Sequence, residues 1–136
     1  MNGEWPRDAR VSEDDSELYD ELIESSDSPF SGWEKNQLFI FAAAFGCEHG
    51  SRTALDGASH ALFNWESLSD SQLWIIKSIV VKELEEPDVL DNGSKVDTIT
   101  REFATGGINR LYRIYNSPSK GIFTQLTEEV VQKANI

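Results

Sequence analysis

The stretch from Leu38 to Phe45 constrains this chain more than any other: Leu38, Phe39, Ile40, Phe41, Ala42, Ala43, Ala44 and Phe45 leave almost no polar side to a helix. A helix with one apolar stripe rests on a surface, whereas one that is apolar all round must be enclosed. The three alanines offer small surfaces for close neighbours. The run falls far short of the roughly 20 residues that span a bilayer, so it reads as a central core helix and not as a membrane segment. Ser31 with Glu34 three residues on suggests a capping box at its start. Gly46 suggests a left-handed cap at its end.

Enclosing such a helix requires partners, and the sequence supplies amphipathic ones. Ser12 reads as the N-cap of a helix over Glu13 to Ser25, with Leu18, Tyr19, Leu22 and Ile23 on one side. Acids in its first turn suit the positive end of the helix dipole. The clearest start is Ser69, with Gln72 at the third helical position and Leu68 and Leu73 placed as a hydrophobic staple. That helix runs through Trp74, Ile75, Ile76, Ile79, Val80, Val81 and Leu84 until Pro87 stops it. Asp91, Asn92 and Gly93 form a turn, and Ser94 is a cap for a long helix carrying Val96, Ile99, Phe103, Gly107, Leu111 and Ile114. Ser117-Pro118 ends that helix, and a terminal helix holds Phe123, Leu126, Val130 and Val131. Residues 47 to 67, with Gly50 and Gly57, read as a long loop, with room for a short strand pair or a turn of helix, whose Phe63 and Trp65 fold back on the core. The expected fold is therefore all-α, an irregular bundle of about five helices in a single domain. Residues 1–11 are expected to be a flexible acidic arm and residues 12–136 the helical domain.

The formal charge of −12 is unevenly placed. Residues 1 to 27 carry ten acids and two bases, a net of −8, while residues 101 to 136 carry a net of +2. A negative chain is repelled by phosphate at long range, which disfavours general DNA or anionic-membrane binding without removing a local basic face. The acidic front suits a basic protein partner. An acid excess with only six Lys also suits a halophilic archaeal source. One cysteine, Cys47, forms no internal disulfide, and the absence of a charged-then-apolar leader points to the cytoplasm.

No residue pattern calls for catalysis. Cys47, Glu48, His49, Asp56 and His60 are ligand-type residues, but they lack the repeated spacing of zinc sites, so no metal or other cofactor is expected. A hydrolase built on this loop ranks last, since there is no nucleophile elbow and no phosphate-binding loop. Gly106-Gly107 is the more informative oddity, because two glycines inside a periodic helix cost about 1 kcal/mol each relative to Ala. Close packing by another helix is the first explanation, and a docked partner the second. Just beyond, Arg110, Tyr112, Arg113 and Tyr115 interleave bases with aromatics, which reads first as an ordinary solvated flank of the helix and second as a face for phosphate and base contacts. Gly106, Gly107, Arg110, Arg113 and Lys120 are accordingly the candidate interaction surface.

The order of these segments resembles the small helical accessory proteins of DNA phosphorothioation (Dnd) defence loci. The resemblance runs over about residues 13 to 126. It is carried by Phe30, Leu38 to Gly46, a charged loop with Arg52, Leu73 to Ile79, Glu86-Pro87-Asp88-Val89-Leu90 and Glu102-Phe103-Ala104-Thr105-Gly106-Gly107-Ile108. It implies a role in a prokaryotic antiviral system that marks DNA with backbone sulfur and restricts unmarked DNA, and it brings no catalytic residues with it. The expected function is a non-catalytic accessory subunit that docks onto a larger protein of the same restriction-modification system and meets DNA only indirectly. The alternative is a helical DNA-binding or regulatory module using the Arg110/Arg113 face.

Overall fold

The computed structural model describes residues 5–55 and 57–117. Along the chain lie β1 (Asp8–Ser12), α1 (Glu13–Glu24), α2 (Lys35–Glu48), β2 (Ser59–Asn64), α3 (Asp70–Leu84) and α4 (Gly93–Tyr115). Short 3-10 turns cover Trp65–Ser67 and Pro87–Asp91. Among the described residues the architecture is four α-helices with one antiparallel strand pair, which corrects the all-α expectation of about five helices. The expected terminal helix lies outside the described residues.

The strand pair replaces part of the expected arm and part of the expected loop. β1 alternates, with Ala9 and Val11 buried between half-buried Asp8, Arg10 and Ser12, but its five residues are too few for the period to stand out in sequence. Its register on β2 pairs Asp8 with Asn64 and Ser12 with Ser59, with an irregularity between Ala9 and Arg10. Arg10 fastens the pair by donating from Nε to Ser59 Oγ at 2.8 Å. The ribbon continues into its neighbours, because the Trp65 N–H donates to the Arg7 carbonyl and the Glu13 N–H to that of Ala58. Trp5 also packs, with its ring 5.0 Å from that of Trp65 in a T-shaped contact.

Helix boundaries follow the caps. Ser12 accepts from the Asp15 N–H at the start of α1, and Ser69 with Gln72 forms the full capping box of α3, both as expected. α2 begins later than the sequence suggested: Glu34 is its cap, and the Glu34 N–H donates to Gln37 Oε1. Ser31 is instead spent in a chain of turns, and the Gly32 N–H returns to the Ile23 carbonyl. α4 is capped by Asn92 and not by Ser94.

Between Leu38 and Ala43 α2 is buried on every side, which explains its composition. Phe41 meets Phe30 and Trp33 at ring distances of 5.2 and 5.9 Å. Phe39, two residues away and therefore on another side, meets Phe63 and Trp65 at 5.1 and 5.9 Å. α4 covers a third side through the largest interhelical interface, and α3 lies against both. Gly46 does not end α2, which continues to Glu48; the glycine serves this crossing. A Cβ on Gly46 would overlap the Phe103 carbonyl, and one on Gly107 would overlap that of Ala42. The two backbones touch, so neither position has room for a methyl group.

This crossing reverses the usual sign of a helix substitution. Gly→Ala inside a helix ordinarily stabilises by about 1 kcal/mol. Gly107→Ala is expected to destabilise by about 1–3 kcal/mol through overpacking, read as a lower midpoint in urea unfolding.

Candidate functional site

The only ionic cluster among the described residues that joins three elements lies beside the α2–α4 crossing. After α2 the chain turns back, with the Ser51 N–H donating to the Gly46 carbonyl at 2.7 Å. Ser51 then lies over α4 so closely that a Cβ on Gly106 would overlap its carbonyl. This places Arg52 between two helices. Its Nε donates to Glu102 Oε1 at 2.6 Å and its Nη1 to Glu83 Oε2 at 2.8 Å. The Thr53 N–H donates to the Glu102 carbonyl, and the guanidinium lies 6.0 Å from the Phe103 ring centroid. Its hydrogen bonds to Glu102 and Glu83 hold the guanidinium more firmly protonated than usual. Each limb is about one third exposed and is worth about 0–1 kcal/mol. The chemistry is that of a clamp: one cation answered by two anions leaves no open positive charge for a phosphate.

Two further polar contacts, one buried and one part-buried, also end on α4. Trp65 Nε1 donates to Asp97 Oδ1 at 2.8 Å, and Arg101 lies 3.4 Å from the other carboxylate oxygen. Asn109 Nδ2 donates to Asp15 Oδ1 at 3.0 Å, tying α1 down. Asp15 Oδ2 and the Tyr19 hydroxyl are buried without a hydrogen-bond partner among the described residues. Burial raises the pKa of Asp15, and hydrogen bonds from Asn109 and Ser12 only partly oppose it. Burial likewise raises Asp97, against the pull of Arg101 and Trp65.

The residues singled out from sequence separate into two groups. Gly106 and Gly107 are buried, one under Ser51 and the other against α2. Arg110 and Arg113 line a shallow open groove at the end of α4 with Ile114 and Ser117, and neither forms an ion pair among the described residues. Tyr112 turns instead toward Glu21 and Asn116. Lys120 lies outside the described residues, as does Asp56.

The ligand-type residues of the expected loop do not converge. Cys47 is half-buried on α2, Glu48 and His49 are exposed, and His60 is exposed on β2 opposite Val11. Burial pushes the Cys47 thiol up despite Lys82, which works against a reactive thiolate. Among the described residues no group of three His, Cys, Asp or Glu side chains is placed to hold a metal ion. No described helix is long and apolar enough to cross a membrane. Sequence reasoning included Arg52 only as part of a charged loop. Its pairing with Glu102, fifty residues away, leaves no local signal.

These residues define a small, mainly helical scaffold in which polar contacts tie distant parts of the chain to α4. Direct comparison gives the family. Residues 8–135 match the family described as DNA sulphur modification system-associated protein 4, and the chain belongs to that family. The match agrees with the resemblance carried by Leu38 to Gly46 and Glu102 to Ile108. No curated protein and no solved structure matches the chain.

The raised carboxyl of Asp15 sets the sign of a pH effect. A group that holds its proton more tightly when folded adds stability in acid, and that stability is lost as pH rises through its folded value. The stability of Asp15→Asn relative to the parent is therefore expected to rise from acid to neutral pH, measured by urea unfolding of both proteins across that range. A difference that stays flat or falls would show that the carboxylate is not penalised by burial.

Proposed function

We propose that this protein is a non-catalytic accessory subunit of a DNA phosphorothioation-linked restriction and antiviral system, acting in the cytoplasm by docking onto a larger protein of that system. Membership of a family of DNA sulphur modification system-associated proteins carries this reading. The placement of the motif residues supports it. Gly46, Phe103 and Gly107 serve the crossing of α2 and α4 and Gly106 the cover by Ser51, so the residues that carry the resemblance serve packing. Of the ligand-type residues, Cys47 and His60 sit on different elements, and burial raises the pKa of the thiol.

The test is binding between the purified chain and each purified protein of the DNA sulphur modification system encoded with it. One of them is expected to bind with a Kd in the micromolar range or tighter, as a specific interface would give. Failure of all of them to bind by calorimetry overturns the reading.

A second reading rests on the groove at Arg110 and Arg113, whose guanidinium groups have no ion pair among the described residues. In that reading the chain contacts DNA phosphates directly, with Lys120 adding charge. Gel-shift titration over a salt series distinguishes the two. Direct contact predicts affinity that falls steeply with salt, with a slope reduced by about 2 in Arg110→Ala/Arg113→Ala. No shift at low salt removes it.

A further inference from the structure

Among the described residues, the fold buries or half-buries its aromatic side chains with one exception. Trp74, on α3, is 64% exposed and is the one exposed large hydrophobic side chain among the described residues. α3 does not need it for packing, since Ile76, Ile79 and Val80 form the buried side of the helix. The surroundings leave the indole clear. Ser71 and Ser78, one turn to either side, are small and exposed, and the Ser78 hydroxyl turns back to donate to the Trp74 carbonyl at 2.8 Å. Lys77 Nζ stands 5.4 Å from the ring centroid. Lys82, two turns on, is only loosely paired with Glu48 at 3.9 Å, with both side chains largely exposed.

Charge on this face departs from the rest of the chain. Residues 71–82 contain two lysines and no acid, in a sequence with 24 acids. The two acids of α3 lie near its ends: Asp70, exposed one turn before Trp74, sits at the positive end of the helix dipole, and Glu83 is held by Arg52. An exposed tryptophan flanked by ammonium groups has the composition of an interface anchor, in which the ring fills a slot and the charges meet a complementary rim.

We propose that the outer face of α3, centred on Trp74 with Lys77 and Lys82, is the surface that docks onto the partner protein, and that the partner presents an indole-sized apolar slot rimmed by carboxylates. This rests on the accessory-subunit reading above and names the surface that serves it. The charge pattern selects the occupant. A nucleic acid would bring a continuous line of phosphates past Asp70 at one end of the strip and Glu85 and Glu86 at the other, toward a chain of net charge −12. A second copy would bring two such chains together. A localised carboxylate rim meets Lys77 and Lys82 without having to run the length of the strip past Asp70, Glu85 and Glu86.

The test uses the full chain and the purified proteins of the DNA sulphur modification system encoded with it, with affinities measured by calorimetry. Trp74→Ala is expected to weaken binding at least about 30-fold, the loss typical of an interface anchor. Lys77→Glu/Lys82→Glu is expected to weaken it about 10-fold and to reverse the sign of its salt dependence. Both variants should keep the parent's thermal midpoint within about 2 °C, because none of the three side chains is in the core. Unchanged binding by Trp74→Ala overturns the proposed surface and leaves the accessory reading standing. Unchanged or tighter binding by the double charge reversal overturns the carboxylate rim. If the parent binds none of these proteins, both readings fall together. Two further measurements also decide against the proposal: quenching of tryptophan fluorescence by an oligo-dT probe that disappears in Trp74→Phe, or self-association in sedimentation that Trp74→Ala abolishes.

Discussion

Contact between two helix backbones governs this structure. Where α2 crosses α4, Gly46 and Ala42 face Phe103 and Gly107 with no space for another methyl group. Helices ordinarily pack 8–10 Å apart because side chains separate them. Here glycine and alanine let the axes approach, and the large residues of α2 are displaced to its other sides. Phe41 meets the turn that holds Phe30 and Trp33, while Phe39 meets the Phe63 and Trp65 that arrive with β2. The remaining elements are arranged around that pair.

α4 is the second organising element, through polar contacts more than apolar ones. The clamp of Arg52 on Glu102, the bond from Trp65 to Asp97 and the bond from Asn109 to Asp15 each bring a different part of the chain to α4. Buried Asp97 is answered by a ring N–H and a guanidinium, whereas Asp15 keeps one oxygen unanswered. A half-satisfied carboxylate in a core is costly, so the α1–α4 junction is the electrically strained seam of the molecule. Gly46, Gly106 and Gly107 lie at the crossing and its cover, and exposed side chains remain on the outward faces of α1, of α3 and of the end of α4.

The candidate site was legible in sequence to an uneven degree. Gly106-Gly107 stood out because glycine is expensive inside a helix, and close packing is what offsets that cost. Arg110 and Arg113 could be placed on an exposed flank by their spacing, and they do line an open groove. Arg52 could not be assigned a role, since the carboxylates it bridges sit on two other helices. Trp74 could not be picked out either. Its helix is apolar in two overlapping rows, and nothing local distinguishes the tryptophan left in solvent from the isoleucines taken into the core.

The sequence by itself determined four helices, the caps of α1 and α3, and the need to enclose Leu38 to Phe45, because hydrophobic period and capping chemistry act over a few residues. It misjudged what depends on distant partners. Asp8–Ser12 and Ser59–Asn64 are each too short to declare themselves strands, and only their pairing satisfies both backbones. Gly46 carries the local signature of a helix end, yet α2 runs past it because α4 leaves room there for a glycine alone. Tertiary structure decided these points for one reason: the free energy that settles them lies in contacts between residues about fifty positions or more apart.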